Sequence, residues 1–167
     1  PMKLDTRRIG GTPVEVTVLG LGGATLGGNL ARHSDADARL LVIDAYDSGI
    51  RYFDTAPFYG YGRSEHLVGD ELRAQDGWVL STKVGRRLKA RRTPQSPNDP
   101  WTGPLSFEPW FDYSYDGAMR SYEDSIQRLG LDRIDILYLH DVDSYTHGED
   151  EWPKMHRKAM EGAFRAM

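Results

Sequence analysis

The sequence predicts an α/β fold built on a parallel sheet. Two observations lead to this prediction. Short apolar runs alternate with helix-like segments four times along 167 residues, and a two-stranded hairpin precedes the first of them. Alternation of this kind favours parallel strands that are joined by crossover helices. The length fits a single domain.

The N-terminal residues predict a hairpin followed by a glycine-rich loop. Residues 6–20 form two short strands around the Gly10-Gly11 turn, and the second strand alternates apolar with polar side chains. The next stretch, residues 19–28, reads LGLGGATLGG. A dinucleotide-binding fingerprint that starts at Gly20 needs a sixth-position glycine, but Thr25 stands there. We therefore interpret these glycines as serving tight turns and close backbone approach.

Caps and breakers bound the helices that follow. Ser34 is predicted to cap the first helix and Ser64 the second, while Gly130 ends the third. The helices are predicted at residues 35–48, 65–73, 116–129 and 152–167. The strands between them are predicted at residues 50–54, 78–83 and 134–139.

Residues 85–115 are predicted to be a long irregular segment rich in proline and aromatic side chains. The segment begins with five basic residues between Arg86 and Arg92. A loop of this length in a compact domain is usually functional or mobile. We interpret the basic cluster as a solvated face, with an anion-binding module as the alternative.

Three of the predicted strands end in side chains that can do chemistry. Asp54 ends one strand, Lys83 ends the next, and His140 follows the third, while Tyr59 lies in the loop just beyond Asp54. The carboxyl ends of parallel strands meet at one edge of a sheet, and neighbouring strands are about 5 Å apart. We therefore expect these four side chains to converge.

The four side chains suit proton transfer to or from an oxygen atom. A lysine beside a tyrosine favours the phenolate, although a free phenol has a pKa of ~10. Asp54 can hold Lys83 charged, and His140 can donate a hydrogen bond to a substrate oxygen. Taken singly, each residue has a structural interpretation as a cap, an ion-pair partner or a packed ring, and only their joint placement favours a catalytic site.

Composition and motifs exclude several other classes. The net charge of −4 gives no indication of nucleic-acid or membrane binding, and the absence of cysteine excludes disulfides and thiol catalysis. The sequence contains no Gly-x-Ser-x-Gly elbow and no metal-ligand spacing. The first eight residues contain no apolar stretch, so we do not expect a secretory signal, and no run reaches the ~18 apolar residues of a membrane span. We expect a cytoplasmic protein that acts on a small molecule.

The sequence resembles the aldo-keto reductases, which are NAD(P)-dependent oxidoreductases with a TIM (β/α)8 barrel. The resemblance is carried by FDTAPFYGYGRSE at residues 53–65, STKVG at 81–85 and DRIDILYLH at 132–140, with GLGG at 20–23 and the leading hairpin. It implies that the chain forms the first four β/α units of such a barrel, preceded by an N-terminal β-hairpin.

The resemblance also implies roles for individual residues. Tyr59 stands where the family has its proton donor, and Lys83 matches the lysine that lowers the pKa of that tyrosine. Asp54 matches the carboxylate partner of the lysine, and His140 matches the histidine that orients the carbonyl. The implied cofactor is NADP or NAD, and the implied cofactor-binding residues are Gly23, Ala24, Thr25 and Asp54.

The surroundings of these residues resemble one branch of the family. Residues 139–143 and the loop after Lys83 are most similar to aldose 1-dehydrogenases and pyridoxal dehydrogenases, which implies oxidation of a sugar or pyridoxal hemiacetal carbon. A TIM barrel usually needs ~250 residues, so residues 1–167 are expected to be its N-terminal half. Two interpretations follow: the chain is a truncated or cleaved product, or it is a half that needs a complementary half-barrel or a second copy to cover its edge strands. In either case we expect the chain alone to be inactive, because the second half is missing. A non-catalytic, partner-binding member of the same fold is the alternative function.

Overall fold

A four-stranded sheet forms the centre of the fold in a computed structural model that describes residues 3–167. The strands are β1 (Thr6–Arg8), β2 (Glu15–Thr17), β3 (Gly20–Gly22), β4 (Tyr52–Asp54), β5 (Val79–Val84), β6 (Arg86–Ala90), β7 (Phe107–Phe111) and β8 (Ile136–Leu139). The helices are α1 (Asp35–Asp47), α2 (Arg63–Leu72), α3 (Tyr115–Leu129), α4 (Ser144–His147), α5 (Trp152–Glu161) and α6 (Ala163–Ala166). The central sheet has the order β3–β4–β5–β8 with every pair parallel, which confirms the predicted fold class.

The leading hairpin is confirmed, and the glycine-rich stretch contributes a strand of its own. β1 and β2 pair in antiparallel register, with Thr6 opposite Thr17. β3 then pairs with β4, with Gly20 opposite Tyr52. A Cβ added at Gly20 would lie 2.8 Å from the ring of Tyr52. Gly20 therefore permits the close approach that this pairing requires.

The main hydrophobic core lies between the central sheet and the helices α1, α2 and α3. Apolar side chains from all of these elements are almost wholly shielded from solvent. They include Ala38, Val42, Phe53, Leu67, Val68, Leu72, Leu80 and Leu129. A smaller cluster of Val84, Ala118 and Ala163 connects α3 and α6 to β5. Burial of these faces fixes the sheet and therefore the edge at which its strands end.

Local capping signals correctly located two of the helices. Ser34 accepts a hydrogen bond from the Asp37 main-chain N–H at 3.1 Å and so caps α1. Gly130 ends α3 in the left-handed conformation, with φ +60°. The predicted fourth helix is interrupted, since the chain departs from helical geometry at Gly162 between α5 and α6.

The prediction that Ser64 caps the second helix is wrong. α2 begins one residue earlier, at Arg63, after Gly62 has turned the chain with φ +96°. The Ser64 hydroxyl is buried, donates to the main-chain oxygen of Gly23 at 2.8 Å and accepts from Thr55 Oγ1 at 2.9 Å. Ser64 therefore ties the loop after β3 to the end of β4 instead of capping a helix.

The prediction of an irregular segment over residues 85–115 is wrong at both ends of the segment, although residues 91–106 have no helix or strand. β6 and β7 form an antiparallel hairpin with Leu88 opposite Pro109. The strand pattern was not recognised because the segment is rich in proline and basic residues. β7 is an edge strand of a two-stranded sheet, and an edge strand tolerates a proline such as Pro109. The basic residues are not all a solvated face either. Arg87 lies 3.7 Å from Asp112 and 3.5 Å from Asp124, with little of its side chain exposed.

None of the helices described between residues 3 and 167 has both the length and the apolarity that crossing a membrane requires.

Candidate active site

The predicted site residues converge at the carboxyl edge of the central sheet. Asp54 is the last residue of β4, Lys83 lies near the end of β5, and His140 directly follows β8. These three strands are successive neighbours in the sheet. Tyr59 lies in the turn between β4 and α2 and contacts both Lys83 and His140. The structure thus brings all four residues together.

The ammonium group of Lys83 is held by acceptors from the neighbouring strand. Lys83 Nζ lies 2.8 Å and 3.0 Å from the two carboxylate oxygens of Asp54 and donates to the main-chain oxygen of Thr55 at 2.9 Å. Ser81 Oγ donates to Asp54 Oδ1 at 2.6 Å. Only 14% of the Lys83 side chain is exposed. The charge of Lys83 is therefore fixed in position at the edge of the sheet.

Tyr59 lies against this charge. Lys83 Nζ is 4.6 Å from the centroid of the Tyr59 ring. The ring also packs edge-to-face on His140, with 6.0 Å between centroids and an interplanar angle of 90°, and lies 5.7 Å from Trp101. Phenol, ammonium and imidazole thus share one half-buried space.

Glycines allow the loops around Tyr59 to touch. A Cβ added at Gly27 would lie 2.6 Å from the main-chain nitrogen of Gly60, so the loop after β3 and the Tyr59 turn make backbone contact. Gly60 itself has φ +62°. From the other side, Leu105 N–H donates to the main-chain oxygen of Gly60 at 3.0 Å. The long connection between β6 and β7 therefore packs over the same turn.

His140 is a buried and neutral group. Only 5% of the residue is exposed. Burial, followed by the positive charges of Arg86 and Lys83, lowers the pKa of His140 to about 3. Its Nδ1 is buried without a hydrogen-bond partner, and its Nε2 lies 3.5 Å from Asp141 Oδ2. A neutral imidazole keeps one N–H with which to donate a hydrogen bond.

The predicted cofactor loop lies beside Asp54. Gly23 N–H donates to the main-chain oxygen of Asp54 at 2.7 Å, and a Cβ at Gly23 would lie 2.8 Å from that same oxygen. Ala24 and Thr25 follow directly and are half-buried, with Thr25 opening a short 3-10 turn. All four predicted cofactor-binding residues therefore lie at the same edge of the sheet as Lys83.

Sequence reasoning missed three residues that contact this group. Ser81 supports Asp54, and its signal was available, because it lies two residues before Lys83 and so shares its face of the strand. Arg86 and Asp141 form an ion pair, with 2.5 Å between Nη2 and Oδ2. Arg86 was not identified because it lies in a basic run that resembles a solvated surface.

The donor set is suited to proton transfer and not to metal binding. In the described part of the chain, no three His, Cys, Asp or Glu side chains are grouped so that they could hold a metal ion. A phenol, a neutral imidazole and a fixed ammonium can together hydrogen-bond an oxygen atom and exchange a proton with it.

The comparisons with known proteins agree with this geometry. The family described as "Aldo/keto reductase family" matches residues 18–167. Pyridoxal 4-dehydrogenase of Microbacterium luteolum is 50% identical over 98% of this chain and 51% of its own length. D-threo-aldose 1-dehydrogenase of a Pseudomonas species is 36% identical over 91% of this chain and 49% of its own length. The chain thus spans about half the length of these relatives.

A solved structure gives the same result at the level of the fold. The holo form of an aldo-keto reductase from Bacillus halodurans superposes with a TM-score of 0.64 and is 27% identical. The match covers 96% of this chain and 48% of that protein.

Proposed function

The chain belongs to the aldo/keto reductase family, and on that premise we propose that it interconverts a carbonyl group and an alcohol by NAD(P)-dependent hydride transfer. The observation that carries the proposal is the position of Lys83. Its ammonium group makes hydrogen bonds to Asp54 and Thr55 and faces the ring of Tyr59 at 4.6 Å. Tyr59 is proposed as the general acid and base.

Each side chain has a defined part in the proposed reaction. In reduction, the substrate oxygen accepts hydrogen bonds from the Tyr59 hydroxyl and from His140, and the phenolic proton moves to that oxygen as the carbon is reduced. The fixed charge of Lys83 stabilises the negative charge that is left on Tyr59. Asp54 keeps the ammonium group in place. Oxidation of an alcohol runs through the same positions in reverse.

The residues fit a nicotinamide cofactor by the chemistry of the donor set. When bound, NADH or NADPH would supply the hydride in reduction, and NAD+ or NADP+ would accept it in oxidation. We propose that Gly23, Ala24, Thr25 and Asp54 hold its nicotinamide end. The hydrogen bond from Gly23 to Asp54 supports this, because it brings the loop to the edge where Tyr59 and Lys83 lie.

We propose that the substrate is pyridoxal or an aldose, oxidised at its hemiacetal carbon. The named activities of the two relatives above support this. The hydroxyl proton of the hemiacetal would pass to the Tyr59 phenolate, the C–H bond would release its hydride to the oxidised cofactor, and a lactone would form. The buried ring of Trp101 packs 5.3 Å from the ring of Phe58 and 5.7 Å from that of Tyr59, and so supports the position of Tyr59.

We further propose that residues 1–167 supply the first half of a barrel. The central sheet of the described chain has two edge strands, β3 and β8. The sequence of the chain matches 51% of the length of the first relative and 49% of the length of the second. A complementary half-barrel, or a second copy of the chain, would cover these edges.

The test is to join residues 1–167 to the C-terminal half of the Microbacterium luteolum relative. Formation of NADH or NADPH is followed with pyridoxal and with D-threo-aldoses. We expect turnover, and we expect Tyr59→Phe to abolish it while cofactor binding is retained. Tyr145→Phe, at a fully exposed ring, is the matched control and should retain full activity.

Two outcomes would contradict the proposal. Full activity in the Tyr59→Phe fusion would show that another group moves the proton. A folded fusion that binds cofactor but turns over neither substrate would favour the non-catalytic, partner-binding alternative.

A further inference from the structure

Arg86 is a buried cation that the proposed reaction does not use. Its guanidinium carbon lies 4.0 Å from the ring centroid of Phe58 and 4.7 Å from that of Phe111. Only 12% of its side chain is exposed, and Nη2 lies 2.5 Å from Asp141 Oδ2. A cation enclosed between two rings and paired with a carboxylate is held in one place.

The main chain at Asp141 is also restrained. Its backbone has φ +52°, a left-handed conformation that non-glycine residues seldom adopt. The Tyr113 hydroxyl donates to the main-chain oxygen of His140 at 2.7 Å and lies 3.1 Å from that of Asp141. Arg86 and Tyr113 thus clamp the turn that carries His140.

We propose that Arg86 is a positioning residue for His140. Arg86 acts through Asp141, so that the neutral imidazole of His140 presents its Nε2–H to the substrate oxygen. The inference rests on the proposed function for the identity of the oxygen, but the state of the imidazole can be measured without any substrate.

Hydrogen bonding decides which nitrogen of His140 carries the proton. Nδ1 is buried with no partner, so an N–H there would be an unsatisfied donor. Nε2 faces the carboxylate of Asp141 at 3.5 Å, which favours a proton on Nε2. The geometry therefore favours the Nε2–H tautomer, which can donate to a carbonyl oxygen.

Charge decides whether His140 takes a second proton. The groups that face it are Lys83 from β5, Arg86 from β6, Asp141 beside it and the ring of Tyr59. Arg86 neutralises Asp141, which would otherwise stabilise an imidazolium ion. Burial and the charges of Arg86 and Lys83 give the low pKa of His140.

The test is an NMR titration of the imidazole nitrogens in the chain labelled with 15N-histidine, with His140 assigned by its loss in His140→Gln. In the unmodified chain we expect His140 to stay neutral and in the Nε2–H form from pH 8 to pH 5. In Arg86→Gln we expect its titration midpoint to rise by about two pH units, which brings the onset of protonation into this pH range. The reason is that an unpaired Asp141 carboxylate then faces Nε2.

Arg87→Gln is the matched control. Arg87 is the next residue of the same strand and pairs with Asp112 and Asp124 instead of Asp141. We expect it to leave the His140 titration unchanged. A folded Arg86→Gln chain with an unchanged midpoint, or an equal shift in Arg87→Gln, would overturn the inference.

Two further variants keep the test decisive. Arg86→Lys retains the charge and should keep His140 neutral over the same range. If Arg86→Gln does not fold, Asp141→Ala takes its place, and we expect it to reduce the preference for the Nε2–H tautomer; an unchanged tautomer would contradict the inference. Because these readouts need neither cofactor nor substrate, they separate this inference from the proposed activity, which is tested by turnover of the fusion protein and of its Tyr59→Phe variant.

Discussion

Lys83 and Asp54 form an ion pair between neighbouring strands in which Lys83 Nζ contacts both carboxylate oxygens, at 2.8 Å and 3.0 Å. The pair faces the ring of Tyr59, and the hydroxyl of Ser81 supports the carboxylate at 2.6 Å. Because the strands are adjacent and in parallel register, this geometry follows from the sheet itself. The hydrogen bonds thus hold the Lys83 ammonium group in one position, facing the ring of Tyr59.

The first prediction concerns that charge. Lys83→Met should lower turnover of the fusion protein by about 10²-fold or more at pH 7, because nothing then stabilises the negative charge on Tyr59. Cofactor affinity, measured by fluorescence titration, should change much less. Lys89→Met, at an exposed lysine paired with Glu108, is the control and should retain activity. Equal turnover in the two variants would remove Lys83 from the mechanism.

The convergence of the site could be predicted because it depends on strand order and chain direction. Asp54, Lys83 and His140 follow strand-like runs, and crossover connections bring the ends of such runs to one edge. Ser64 failed as a predicted cap because its hydroxyl is used in a long-range contact with Gly23. A capping pattern considers only hydrogen bonds between a side chain and nearby main-chain N–H groups, so it cannot predict a contact with a residue that is distant in sequence.

Tertiary pairing explains the other error. The β6–β7 hairpin has long-range partners, such as Arg86 with Asp141, that no local pattern reveals. Its strands carry cations whose neighbours are rings, as in the stacking of Arg86 on Phe58. A strand signal needs alternating apolar side chains, and β6 begins instead with two consecutive arginines, Arg86 and Arg87.

The second prediction concerns a buried ion pair between α2 and α3. Glu65 is fully buried, with Arg128 Nε 2.5 Å from Oε2 and Thr82 Oγ1 2.9 Å from Oε1. Arg128→Met should lower the free energy of unfolding by about 3 kcal/mol, because it leaves a buried carboxylate without its counter-charge. Urea denaturation monitored by circular dichroism measures this loss.

Two variants calibrate the second prediction. Adding Glu65→Gln to Arg128→Met should restore part of the stability, since an unpaired amide is less costly to bury than a charge. Arg39→Met breaks an exposed pair with Asp70 and should cost less than about 1 kcal/mol. If Arg128→Met and Arg39→Met cost the same, the buried pair has no special role.

The third prediction is an acid sensitivity that arises from His140. Its pKa is about 3 in the folded chain and ordinarily 6.5, so the unfolded chain binds a proton that the folded chain does not. Stability contributed by neutral His140 is therefore complete above pH 6.5 and is lost as the pH falls toward 3. The expected slope is at most about 1.4 kcal/mol per pH unit within this window.

A comparison of variants isolates this slope. Urea unfolding at pH 7, 6 and 5 should show the decline in the unmodified chain and a shallower decline in His140→Gln. His66→Gln, at an exposed histidine of α2, should leave the decline in place. Identical slopes in the unmodified chain and in His140→Gln would mean that His140 titrates alike in the folded and unfolded states.

The fourth prediction concerns the contact between α2 and α3. A Cβ added at Gly69 would lie only 2.0 Å from the main-chain oxygen of Leu129, and this oxygen cannot move aside as a flexible side chain would. Gly69→Ala should therefore destabilise the chain by about 1–3 kcal/mol, although alanine is the better helix former. Gly11→Ala, where an added Cβ would meet nothing within 4 Å, should change stability little. A more stable Gly69→Ala chain in urea would mean that helix propensity outweighs the clash, and that α2 and α3 can separate without cost.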